Sequence, residues 1–175
     1  IGRHNVVTVT DLTVDGETTA FEIPTRHNFS AFGARYEWEA TDGFIVTPFV
    51  GARSIAFDLG YNTRYRSSFY TGFELGAEAR YFVFRDQLGV EATIGVRPSV
   101  NLGSTVEPYG TTASSSGLGF GAGLLYRMDL GPFARARYYL DRYSTTYRRS
   151  DEEGGGSSVA SDIFQTFALE LGYVY

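Results

Sequence analysis

Cysteine is absent from the 175 residues, which excludes disulfides, thiolate metal sites and cysteine nucleophiles together. Lysine is absent too: all fifteen cationic side chains are Arg, and the net charge is −5. A chain of that sign carries no polyanion-binding signal, so nucleic acid is not expected as a partner. Long apolar runs are also missing, and none approaches the ~20 residues that a membrane-spanning helix needs. Hydrophobic residues nevertheless make up 43% of the chain, too many for a disordered polymer. Histidine occurs only as His4 and His27, too few for a zinc or haem set, and no cofactor is expected. The single methionine is Met128, so the sequence reads as processed or trimmed. Its lack of an export leader therefore carries no weight against export.

What is abundant is glycine, with 21 residues, and aromatics, with 28, of which 13 are Tyr. No helical period is sustained, whereas a period of two recurs along residues 1–175, which read as one all-β domain. From Phe69 to Val83 the odd positions are largely apolar, while the even ones include Gly72, Glu74, Gly76, Glu78 and Arg80. Leu88 to Pro98 alternates against Gly89, Glu91, Gly95 and Arg97, and Leu118 to Met128 against Gly119, Gly121, Gly123, Arg127 and Asp129. Ala134 to Leu140 alternates against Arg135, Arg137 and Asp141, and Phe167 to Tyr175 against Ala168, Glu170 and Gly172. Phe32, Ala34, Tyr36 and Trp38 alternate with Gly33, Arg35, Glu37 and Glu39. Between Val46 and Tyr61 the apolar face changes from even to odd numbers, which predicts a β-bulge near Arg53-Ser54. A first strand is expected over residues 5–14.

Links alternate without exception between long (15–28, 62–68, 101–117, 145–162) and short (41–43, 85–87, 130–132). Eight antiparallel strands, with tight turns at one end and long loops at the other, are the layout of an up-and-down transmembrane β-barrel of a bacterial outer membrane. Tyr36, Trp38, Tyr81, Tyr126, Tyr173 and Tyr175 all fall at the short-turn ends, where an interfacial aromatic girdle belongs. Periodicity alone also fits a soluble barrel of the lipocalin type, with its apolar face inside. The lack of Lys, the Gly-rich polar face and the aromatic strand ends favour the membrane.

In this pattern the chain resembles the small eight-stranded outer-membrane barrels of the OmpA-like, OmpX-like and OmpW-like class over nearly its whole length. Its most specific feature is the end, Ala168-Leu169-Glu170-Leu171-Gly172-Tyr173-Val174-Tyr175, which looks like the terminal assembly signal of that class. The resemblance implies the barrel-assembly machinery as a partner during biogenesis, with Gly172, Tyr173 and Tyr175 carrying the signal.

If the apolar face meets lipid, the other face carries Arg35, Glu37, Glu39, Asp58, Glu74, Glu78, Arg80, Glu91, Arg97, Arg127, Asp129, Arg135, Arg137, Asp141 and Glu170. Eight strands enclose a lumen that side chains can fill, so these charges are expected to pair into a plug, with glycine making room. A narrow channel or transporter for ions or apolar solutes is the alternative. Catalysis has little material: His27 and Ser30 are close in sequence but have no positioned acid, so no enzyme is expected. Asp151 to Glu153 precede Gly154 to Ser158 and read as a loop tip rather than a calcium site. The evenly spaced Gly117 to Gly123 is one face of a strand and not a phosphate-binding loop. Arg64, Arg66, Arg142, Arg148 and Arg149 stand in or beside the long loops, where lipopolysaccharide phosphates lie and guanidinium groups can grip them. Tyr65, Tyr109 and Tyr147 add contact residues for lipid or a protein partner.

Overall fold

Alternation at a period of two becomes antiparallel strand along nearly all of the described chain. The computed structural model describes residues 2–14, 17–59, 67–84, 87–103, 112–128, 131–148 and 155–173. Its strands are β1 (Gly2–Val14), β2 (Glu17–Arg35), β3 (Trp38–Thr41), β4 (Phe44–Leu59), β5 (Ser68–Phe84), β6 (Leu88–Asn101), β7 (Thr112–Arg127), β8 (Pro132–Arg148) and β9 (Ser157–Tyr173). They form one sheet in the order β1-β2-β4-β5-β6-β7-β8-β9, each antiparallel to its neighbour, with β3 continuing the β2 edge along β4. The β2/β3 break falls where Pro48 stands on β4: Tyr36 N–H donates to the Pro48 carbonyl at 3.1 Å, but proline has no N–H to return. Gly43 and Gly131 occupy the short turns with φ of 72° and 94°, a conformation that a side chain would strain.

The sheet curls. Arg53 on β4 reaches Asp141 on β8 at 2.5 Å, and Tyr70 on β5 bonds Asp162 on β9, so strands several places apart in the order meet across an interior. No pairing joins β9 to β1, β2 or β3 among the described residues, and the sheet there is an open, partly rolled wall rather than a closed barrel.

Four sequence expectations are corrected, the first being the link over 101–117, which ends early because β7 already starts at Thr112. The link expected over residues 15–28 is largely strand: β1 turns back into β2 after Val14, and Val14 lies opposite Glu17. The link expected over 145–162 is also shorter, because β8 continues to Arg148 and β9 starts at Ser157. The bulge expected near Arg53-Ser54 is absent, since β4 pairs with β2 and β5 in unbroken register. An irregularity sits instead in β6 between Arg97 and Val100, around Pro98, whose missing N–H suits a break in the ladder. It changes the parity of the inner face, so that Arg97, Val100 and Leu102 are all buried.

The change of apolar face in β4 has another cause. Ile55 continues the inner face of Thr47 and Arg53 into an apolar upper interior, where it clusters with Tyr70, Val100, Leu102, Tyr143 and Tyr147. Tyr70 stacks on Tyr143 at 4.3 Å, and Phe164 meets both rings edge-on at 5.9 Å. Asp58 is thereby placed among exposed residues, with Asn28 Nδ2 donating to it at 3.4 Å, and does not join the interior charges.

Candidate functional site

Inside the curl, below the aromatic cluster, charged side chains from four strands, β4, β5, β6 and β8, form two tiers. The upper tier is a box of two cations and two anions. Arg97 Nη2 donates to Glu74 Oε1 and Asp141 Oδ1, both at 2.6 Å, while Arg53 reaches Asp141 at 2.5 Å and Glu74 at 3.6 Å. Arg97 is only 1% exposed, and its guanidinium also lies 5.2 Å from the Tyr143 ring centre. The lower tier joins Arg80, Arg135 and Arg137 to Glu78 and Glu91. Arg80 Nε donates to Glu91 at 2.7 Å and Nη2 to Glu78 at 3.0 Å. Arg137 bridges the same two carboxylates at 3.1 and 3.0 Å, and Arg135 lies 3.1 Å from Glu91. Glu37 reaches Arg80 at 3.8 Å and Glu170 reaches Arg135 at 3.4 Å from the margins.

The sequence-derived charges thus divide. Glu74, Glu78, Arg80, Glu91, Arg97, Arg135, Arg137 and Asp141 are brought together, with Glu37 and Glu170 at the edge. Arg127 sits apart, its guanidinium 5.5 Å from the Phe82 ring centre. Arg35 and Glu39 are exposed. Asp129 lies outside the described residues. Sequence reasoning missed Arg53, although its odd number continues the inner face of Thr47, Phe49 and Gly51. Tyr139, which alternation puts on the same face as Arg135, Arg137 and Asp141, joins the lower tier, its hydroxyl accepting from Arg137 Nη1 at 2.7 Å.

Glycines make the space. A Cβ on Gly119 would stand 2.7 Å from Asp141 Oδ1 and 2.8 Å from Arg97 Nη2, and on Gly95 it would stand 2.7 Å from Glu74 Oε1. Gly117 and Gly121 in the same way clear Tyr143 and Tyr139. Gly119→Ala is therefore expected to destabilise the fold by about 1–3 kcal/mol, the usual cost of overpacking. Ala122→Leu, on the exposed face of the same strand, should leave the unfolding midpoint within experimental error. Equal midpoints for the two variants would contradict this account of the glycine run.

The candidate surface residues are less gathered. Arg142 and Arg148 are exposed on β8, and Arg142 Nε donates to Ser161 Oγ at 3.2 Å. Tyr147 is no loop contact but belongs to the buried aromatic cluster, because β8 extends past it. Arg64, Arg66, Arg149, Tyr65, Tyr109 and Asp151 to Glu153 lie outside the described residues. Of the residues expected to carry an assembly signal, Tyr173 is exposed and Gly172 lies under the Phe133 ring, where a Cβ would approach Cζ to 2.5 Å; Tyr175 is outside the described residues. Ser30 stands opposite Ser54 in the β2–β4 register. No group of three His, Cys, Asp or Glu placed to hold a metal occurs among the described residues. Comparison with family models, with curated proteins and with solved structures returned no match.

Proposed function

We propose that this chain is the wall of a bacterial outer-membrane β-barrel, non-enzymatic, with a plugged polar lumen and with specificity carried by its outer loops. One observation carries the reading: the sheet is inside-out relative to a water-soluble barrel. Paired charges fill its concave side below the aromatic cluster, while Ile94, Phe120, Leu124, Phe167 and Leu169 stand on its convex side at 47–75% exposure. An apolar band of that extent in water is an aggregation hazard, and in a bilayer it is the buried surface. Tyr36, Trp38, Tyr81, Tyr126 and Tyr173 are all exposed at the short-turn ends, as an interfacial girdle requires. A lipocalin-like carrier would invert this arrangement and line its interior with apolar side chains.

The two charge tiers under an aromatic cap favour a plug over a channel. Most opposed charges of the tiers meet at 2.5–3.1 Å, which supports a filled interior, and solute flux through liposomes is expected to stay at background. Exposed Arg142 and Arg148 fit contact with lipopolysaccharide phosphate or a surface partner. The barrel-assembly machinery is the partner expected during biogenesis. Refolding with and without detergent tests the placement: a compact, heat-modifiable gel band with β-type circular dichroism should appear only with detergent. A monodisperse folded species in buffer alone would overturn the membrane reading.

A further inference from the structure

A cleft of about 860 Å³ opens through the side of the wall between β2 and β9, beside the charge tiers. Small-molecule sites run from roughly 300 to 1,000 Å³, so the space is of ligand size. The strand register explains why it is hollow. Ala31 and Gly33 share the inward parity of Arg53 and Gly51 across β2–β4, and Thr166 and Ala168 share that of Tyr139 and Arg137 across β8–β9. All four are small, whereas the long charged side chains of the tiers come chiefly from β5, β6 and β8.

At the inner end of the cleft the ion pairs leave two polar groups unused. Arg53 Nη2 bonds Asp141, but Nη1 has no acceptor among the described residues nearer than Glu74 Oε1, at 3.6 Å. Glu74 takes Arg97 Nε and Nη2 on the same Oε1, at 3.1 and 2.6 Å, so its Oε2 has no partner among the described residues. Both side chains line the cleft and are 12% and 10% exposed. A cationic donor and an anionic acceptor therefore stand side by side there. The mouth is apolar, with Phe32 and Val50 exposed on one flank and Phe167 and Leu169 on the other. The upper tier already balances Arg53 and Arg97 against Glu74 and Asp141. A ligand of net charge would upset that balance where an uncompensated charge is costly, and a head carrying both signs would not.

We propose, on the bilayer reading above, that this cleft holds a zwitterionic phospholipid. Its phosphate lies on Arg53, its ammonium on Glu74, and its acyl portion passes out between Phe32 and Leu169 into the surrounding hydrocarbon. The lipid enters sideways from the bilayer, through neither end of the interior, so the site coexists with a plug that passes no solute. The upper tier thus serves both as filling and as the floor of a headgroup site.

The test is a titration of protein refolded in alkyl-maltoside micelles with palmitoyl lysophosphatidylethanolamine, read by native mass spectrometry. One lipid retained per chain is expected. Ala168→Trp, which fills the cleft from β9, should weaken retention at least roughly tenfold. Ala122→Trp, on the exposed face of β7, should leave it unchanged. If Ala168→Trp gives no compact gel band, Ala31→Trp fills the cleft from β2 in its place. No one-to-one complex with the parent, or equal retention by the filled variant, would overturn the site. Equal retention of palmitate, an anion, or of monopalmitoylglycerol, which is uncharged, would overturn the zwitterionic head. The cysteine-free chain allows one further check. A disulfide joining Phe32→Cys to Leu169→Cys in most refolded molecules would mean that the two edges meet and the mouth is shut, which also overturns the proposal. Refolding in buffer alone separates the two readings. Detergent-dependent folding without a complex sinks the lipid site only, whereas a one-to-one complex of protein folded without detergent keeps the site and sinks the bilayer reading.

Discussion

Replacing Arg97 by Met is expected to destabilise the protein by about 3–5 kcal/mol, the cost of removing one partner from a buried ion pair. The side chain is 1% exposed and donates to Glu74 and Asp141 at 2.6 Å, so its loss leaves two carboxylates sharing Arg53, which stands 3.6 Å from Glu74. For a chain of this length that corresponds to a fall of roughly 6–20 °C in the temperature at which the compact gel band disappears. The double variant Arg97→Met/Glu74→Gln restores charge balance, with Arg53 and Asp141 still paired, and should recover most of the loss. An unchanged transition in the single variant, or no recovery in the double, would show that the upper tier is not a coupled electrostatic unit.

On the convex face the second large effect is expected from Ile94→Arg. Ile94 lies between Ala77 and Phe120 in register, 48% exposed, in the middle of the apolar band. A guanidinium at the midplane of a barrel wall costs about 2–4 kcal/mol, and about 0–1 near the interfaces. Urea titration of folding into lipid vesicles should resolve that loss, while Ser144→Arg, exposed higher on β8, should lie close to the parent. In water the same Ile94 change falls within about 0.5 kcal/mol, as for an ordinary surface site. Equal stabilities for all three proteins in vesicles would count against lipid contact at this face.

Much of the sheet was legible because a single property, alternation, decides both strand and face. Leu88 to Pro98 and Leu118 to Met128 needed nothing more, and Asp42-Gly43 and Gly131-Pro132 marked their turns. The charged interior was legible for the same reason: Glu74, Glu78, Arg80 and Arg97 sit on the polar parity of their strands. What alternation cannot register is depth. Ile55, Tyr70 and Tyr143 are as apolar as the convex face yet point inward, because the upper interior is filled with rings rather than charges. That change of filling mimicked a bulge in β4, hid Arg53 and misplaced Asp58. The real irregularity, beside Pro98, was masked because Pro98 fitted the apolar parity before it. The first strand was the least legible, since Asn5 to Val14 alternates equally well in a hairpin or in a wall.

Arg53 and its partner Asp141 are 88 residues apart, and Tyr70 and Asp162 are 92. Neighbouring hairpins can form locally, but these contacts exist only once distant strands have been brought face to face, and such closures are the slow part of folding. The β8–β9 hairpin supplies Arg135, Arg137, Tyr139, Asp141, Tyr143, Asp162 and Phe164, one partner for every layer of the interior. A chain emerging in sequence order can pair Arg97 with Glu74 and Arg80 with Glu78 and Glu91 as soon as β4 to β6 are present, but Arg53 and Arg97 lack Asp141, and Glu78 and Glu91 lack Arg137, until β8 and β9 arrive. Their arrival completes both charge tiers and the aromatic cap in one event, which makes the β8–β9 hairpin the latch of assembly.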